Sequence, residues 1–139
     1  MEGKLTLEVA IPERQLVSDV VDSVEIPSET GYMGILPGHA ALIAKLGHGV
    51  LSFTSGEKRN YLALHGGLME VLPGLVRVLA DSGEWAENVD YERAEKAHDR
   101  ATNMIQNHET EVDVARATQS IRRAEARLEA VRRLKKTDH

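Results

Sequence analysis

Hydrophobic and polar positions change period once along this chain. Leu5, Leu7, Val9 and Ile11 alternate with Thr6, Glu8 and Ala10, a period of two that predicts a half-buried β-strand ended by Pro12. Similar short runs follow at 20–26, 42–46, 50–54, 60–64, 67–72 and 75–80, with turn formers between them. Ser55-Gly56-Glu57 and Pro73-Gly74 carry the residues that tight turns use, so the last four runs are expected to form two consecutive hairpins. Seven or more short strands spaced in this way argue for a small β-sandwich or barrel. From Tyr91 onward the period becomes helical. Residues 91–106 and 113–136 are predicted as two helices, joined by the polar stretch 107–111. In the second, Val114, Ile121 and Leu128 lie seven apart, with Ala117, Ala124 and Val131 between them, a two-stripe seam. The first offers Ala94, Ala97, Ala101 and Met104, and the short connection makes an antiparallel hairpin the expected arrangement.

Glycine and proline sharpen that boundary. All 11 Gly and all 4 Pro lie at or before Gly83, so the architecture is α+β segregated: an antiparallel β-sandwich over 1–84, then a helical hairpin over 88–136. Alanine lets helix backbones approach closely but buries about one methyl each, roughly 1 kcal/mol or less against about 1.5 to 3 for leucine or isoleucine. The hairpin is therefore expected to be marginally held and able to undock without unfolding the sandwich, the physical basis of a switch.

The 139 residues, 42% hydrophobic and 28% charged, fit one compact unit or a domain with an appendage. With no cysteine, disulfides, thiol nucleophiles and thiolate-held metals are excluded, and the compartment is expected to be reducing or indifferent to redox. No apolar run approaches the roughly 18 residues of a membrane helix, and the first residues do not read as a secretory leader, so membrane association is expected only through a partner. The net charge is -5. It is uneven, because from Arg116 to Lys136 the basic residues Arg116, Arg122, Arg123, Arg127, Arg132, Arg133, Lys135 and Lys136 face only Glu125 and Glu129. That helix wants an acidic partner. The negative total and the absence of aromatics on this face argue against nucleic acid. His39, His48 and His65 fall in the β-rich part without metal-ligand spacing, so no metal site is expected.

The run Gly31-Tyr32-Met33-Gly34-Ile35-Leu36-Pro37-Gly38-His39-Ala40, then His65-Gly66-Gly67-Leu68-Met69-Glu70-Val71 and Val78-Leu79-Ala80-Asp81, resembles the ε-subunit family of the F-type ATP synthase. The resemblance runs the full length and includes the order of parts. Two departures, Ala41 where the family usually has proline and His65 where it often has serine, leave the fold-defining features intact. The resemblance implies a ten-stranded sandwich on the rotor, without chemistry of its own. It would be bound to the γ subunit and seated on the membrane ring of c subunits, at the cytoplasmic face of a bacterial cell membrane. It further implies that the hairpin brakes ATP hydrolysis when extended toward the catalytic β and α subunits, and that regulatory ATP, the one ligand implied, holds the brake off.

In family terms Tyr32 and Met33 match the part that touches the c ring, and His39 the part that touches γ; the family often has an acidic residue where Tyr32 stands. Asp90 and Arg93 match a nucleotide motif. They also read as a helix N-cap with a local ion pair, and Val112-Asp113-Val114-Ala115-Arg116-Ala117 repeats their pattern at the second helix. Arg123 and Arg127, four apart on one helical face, repel unless an anion sits between them, and guanidinium groups suit phosphate oxygens. They coincide with the family's phosphate-contacting arginines, and Glu84 and Arg100 also match. No glycine loop of the Walker type is present, so a site would be built from side chains between helices. Arg122, Arg123, Arg127, Arg132 and Arg133 form the basic face expected to inhibit. The rival reading is a free-standing β-sandwich adaptor whose basic hairpin binds an acidic protein or nucleic acid.

Overall fold

The computed structural model describes residues 3–107 and 110–137; His108 and Glu109, in the expected connection between helices, lie outside them. Eight strands come first: β1 (Leu5–Ile11), β2 (Arg14–Val21), β3 (Ser23–Ser28), β4 (Gly31–Ile35), β5 (Leu42–Lys45), β6 (His48–Ser55), β7 (Lys58–Leu72) and β8 (Leu75–Trp85). A single 3-10 turn, Ala86–Asn88, leads into α1 (Tyr91–Gln106) and α2 (Glu111–Thr137). The segregated α+β class holds.

The strands form one hydrogen-bonded path, β2-β1-β8-β7-β6-β3-β4, with β5 also on β7. The path closes over a core that includes Leu7, Val9, Ile26, Ile35, Leu51, Leu62, Leu64 and Val78, each at most 2% exposed. Among the described residues eight strands stand where ten were expected. The expected runs 60–64 and 67–72 are one 15-residue strand, β7, which pairs with β6 through Lys58–His65 and with β5 through Leu68–Val71. It changes partner at Gly66 and Gly67, where φ is +67° and +119°. Two adjacent left-handed backbones bend the strand from one layer into the other, so the two hairpins share their middle strand. One pairing is not antiparallel: β1 runs parallel to β8. The run 20–26 divides between β2 and β3, and β2 begins at Arg14, where its exposed Arg14, Gln15, Ser18 and Asp19 hide the apolar alternation.

Both expected hairpin turns form, Ser55 pairing with Lys58 and Leu72 with Leu75. In the Leu36-Pro37-Gly38-His39 turn the His39 N–H donates to the Leu36 carbonyl at 3.1 Å. Pro37 presets its own φ, and Gly38 supplies the +86° that a type II turn requires at its third position.

Asp90 caps α1, its Oδ1 accepting from the Arg93 N–H at 3.1 Å. The repeated motif does not play this part in α2. There Thr110 Oγ1 accepts from the Asp113 N–H at 3.2 Å, and Asp113 lies inside the first turn. The helix–helix seam buries Ala94 and Ala101 against Ala117, Ala124, Leu128 and Val131, while Val114 and Ile121 are half-buried and Met104 is 44% exposed. A second stripe on α2, Ala126, Ala130 and Leu134, packs on Val50, Tyr61, Ala63 and Ala86 of the sandwich. Thus α2 has two apolar faces, and α1 packs chiefly on one of them.

Candidate functional site

Where the sandwich ends and both helices meet it, Glu84, Asn88, Asp90, Arg93, Ala94, Ala97, Arg100 and Arg127 line a cavity of about 380 Å³. This volume falls within the range of small-molecule sites. The end of β8 supplies Glu84, the start of α1 supplies Asp90 and Arg93, its third turn Arg100, and α2 Arg127. Five of the six residues matched to a nucleotide site are therefore brought together from three elements. The sixth is not. Arg123 lies one turn before Arg127, exposed and outside the cavity.

Arg127 Nε donates to Glu84 Oε1 at 2.7 Å, with both side chains about one-third exposed. Asp90 spends one oxygen on its cap, and among the described residues no hydrogen bond engages the other. Among the described residues, Arg93 and Arg100 have no ion pair. Three guanidinium groups against two carboxylates, one of them occupied as a cap, leave a cavity that favours an anionic ligand, with carboxylate acceptors at its edge for hydroxyl or amine donors.

A larger hollow of about 600 Å³ lies between Tyr32, His48 and the outer turns of the helices. His98 Nε2 stands 3.5 Å from Glu125 Oε1 there, and Arg122 and Arg132 share its wall with Glu95, Asp99 and Glu129. Its mixed charges select no ligand. No three His, Asp or Glu side chains among the described residues are grouped to hold a metal.

The loop residues divide. Tyr32 is 53% exposed, but its hydroxyl accepts from the Val50 N–H at 3.0 Å and lies over Gly49, where a Cβ would meet that hydroxyl at 2.7 Å. Met33, expected on the surface beside it, packs instead against the sandwich core. Strand alternation compels this, since neighbours on β4 point to opposite faces. His39 is half-buried, its Nδ1 2.8 Å from the Ala40 carbonyl.

Of the basic face, Arg127 and Arg133 are engaged: Arg133 Nη2 donates to Glu25 Oε1 at 3.2 Å and its guanidinium sits 5.6 Å from the Tyr61 ring centroid. Arg132 approaches Glu129 on its own helix at 3.7 Å. Arg122 and Arg123 remain exposed. The sequence reading missed an apolar patch on the outer face of the sheet, where Ile43, Leu68 and Leu79 are 73%, 50% and 52% exposed. Leu68 and Leu79 are directly paired across β7 and β8. The signal was present but diluted: beside the inward-facing residues, the outward alternation carries Leu68 and Leu72 on one strand and Leu75 and Leu79 on the other, around the paired Glu70 and Arg77, more apolar side chains than a one-sided core requires.

The ATP synthase Delta/Epsilon chain beta-sandwich domain matches residues 4–86, and the long alpha-helix domain of the same chain matches 87–132. The chain belongs to the ATP synthase epsilon chain family. The ATP synthase epsilon chain of Solibacter usitatus is 46% identical over 128 residues, covering 92% of this chain and 96% of that one. That of Moorella thermoacetica is 40% identical over 129 residues, with the same coverages. A chain of the Euglena gracilis mitochondrial ATP synthase, solved as OSCP/F1/c-ring, superposes with a TM-score of 0.73. It is 23% identical and covers all of this chain and 84% of its own length, a likeness of fold. As an epsilon chain, the protein is a subunit of an enzyme complex, which displaces the free-standing adaptor. No helix among the described residues is long and apolar enough to cross a membrane.

Proposed function

We propose that this epsilon chain is a non-catalytic rotor subunit whose sandwich links the γ subunit to the c ring, and whose hairpin is an ATP-sensing brake on hydrolysis. The observation that carries the sensing role is the cavity between Glu84, Asp90, Arg93, Arg100 and Arg127, which takes residues from the sandwich and from both helices. A ligand there contacts all three only while the hairpin is folded down. ATP therefore binds the closed form in preference to the open one, which is the condition for shifting the equilibrium. No cofactor is required.

The docked hairpin is held by little. Its contacts on the sandwich include an alanine stripe with Leu134, the Arg127–Glu84 and Arg133–Glu25 pairs, the Arg133 guanidinium over the Tyr61 ring, and the Tyr61 hydroxyl 2.6 Å from Thr137 Oγ1. Opening breaks these pairs and frees Arg127 and Arg133 to join Arg122, Arg123 and Arg132 as a basic face for the acidic surfaces of the catalytic β and α subunits. The exposed Ile43, Leu68 and Leu79 suit docking on γ near His39, and Tyr32 suits a contact with the c ring at the cytoplasmic face of a bacterial membrane.

The test is ATP hydrolysis by the cognate catalytic head carrying γ but stripped of epsilon. Full-length chain is expected to bind and lower the rate severalfold, and a chain ending at Glu87 to bind equally without lowering it. Equal inhibition by both would overturn the brake, and failure of both to bind would overturn the rotor reading. High salt should relieve inhibition if exposed charge supplies the contact.

A further inference from the structure

Two histidines lie beneath α2 in the seam where the hairpin meets the sandwich. His48 on β6 and His65 on β7 are direct cross-strand partners, their ring centroids 5.7 Å apart. They share the sheet face of Val50, Tyr61 and Ala63, which α2 covers. His65 is 2% exposed, and neither of its ring nitrogens has a hydrogen-bond partner among the described residues; His48 Nδ1 is likewise buried and unpartnered. An unpaired buried imidazole is costly, and a buried imidazolium far more so.

The charges around the pair come from each packed element. From α2, Arg127 and Arg123 disfavour a charge on His65, and Arg122 and Arg123 disfavour one on His48, whereas the Gln119 side chain favours a charged His48. From β8, Asp81 favours a charged His48, and Glu84 is already taken by Arg127. The surroundings of His65 are thus apolar or positive. We propose that His65, with His48 beside it, is an acid-sensitive latch: protonation of the pair drives α2 off the sandwich, so acidification opens the hairpin. This rests on the reading of the hairpin as a two-state element.

In the docked form burial, then Arg127, His48 and Arg123, push His65 from its ordinary 6.5 down to about 3. Burial chiefly lowers His48 as well. Lifting α2 returns both rings to water. The docked form binds fewer protons, so docking is at full strength above about pH 6.5 and weakens as pH falls from there toward about 3. For His65 alone the ratio of open to closed chain rises about tenfold between pH 7.5 and 5.5.

The chain has no cysteine, so Glu57→Cys and Arg116→Cys give one fluorophore on the sandwich and one on α2. Energy transfer in the full-length chain, without nucleotide, should report the tenfold rise from pH 7.5 to 5.5. His65→Leu should abolish most of it. A flat wild-type response, or a full response in His65→Leu, would overturn the latch. Ala130→Glu, which places a charge at a fully buried contact of α2, is the open reference. If it leaves the signal unchanged, the two-state reading itself fails, independently of the histidines. In the unsubstituted chain at conditions that keep it closed, NMR of the His65 ring should show no titration near 6.5; a midpoint there would also overturn the proposal.

Discussion

Replacing Arg127 with alanine should lower the affinity of the full chain for ATP by about ten- to a hundredfold, measured by titration calorimetry at pH 7.5. A charge-assisted hydrogen bond contributes about 1.5 to 3 kcal/mol, and each 1.4 kcal/mol is a factor of ten. The substitution also removes the partner of Glu84, leaving a half-buried carboxylate facing the cavity that the phosphates would enter. Arg123→Ala is the informative comparison. Both arginines match the family's phosphate contacts, but only Arg127 lines the cavity, so Arg123→Ala should change affinity by less than about twofold, as expected of an exposed site away from the ligand. Equal losses in the two variants would place the nucleotide farther along α2. No loss in either would remove the cavity from nucleotide binding.

Gly67→Ala should cost the sandwich more than about 3 kcal/mol and lower its urea midpoint accordingly. At this residue φ is +119°, a conformation a residue with a side chain resists, and a Cβ would stand 2.1 Å from the Leu79 carbonyl oxygen and 2.8 Å from the Ala80 Cα. The obstructing atoms are backbone of β8, directly paired with Gly67, so no rotamer change relieves the contact. Gly34→Ala, with no atom within 4 Å of its Cβ and no positive φ, should stay within about 0.5 kcal/mol of the unsubstituted chain. Trp85, the one tryptophan, lies edge-on to Phe53 at 6.0 Å and reports core integrity by fluorescence. A midpoint for Gly67→Ala equal to that of Gly34→Ala would show that β7 can turn between layers without glycine.

The two substitutions also separate the functions of the fold. Arg127 lies at the junction between the hairpin and the sandwich, whereas Gly67 maintains the strand that both layers share. A chain damaged at Arg127 should still assemble on the rotor. One damaged at Gly67 should lose the platform that carries the docked hairpin and the proposed contacts with γ and the c ring.

Local information in the sequence determined the segregation of strands from helices, since the period of the apolar residues and the end of glycine and proline at Gly83 are properties of neighbours along the chain. It determined the cap at Asp90, both hairpin turns and the helix–helix seam at Ala117, Ala124, Leu128 and Val131 for the same reason. The gathering of Glu84, Asp90, Arg93, Arg100 and Arg127 was legible only through family resemblance, because spacing alone also explains Asp90 and Arg93 as helix-cap architecture.

Tertiary structure alone decided the rest. Gly66 and Gly67 read as a break between strands, yet they are the bend within one, because β6 and β5 offer that strand partners on either side of the corner. Ala126 and Ala130 look like weak helix-surface residues until Val50, Tyr61 and Ala63 are laid against them. Arg123 and Arg127 look equivalent along the helix, and His65 looks like a surface or interface histidine. Docking separates the arginines and buries the histidine, since what a side chain meets far along the chain, as Arg127 meets Glu84 at a separation of 43 residues, depends on how the elements pack and is not encoded in its neighbours.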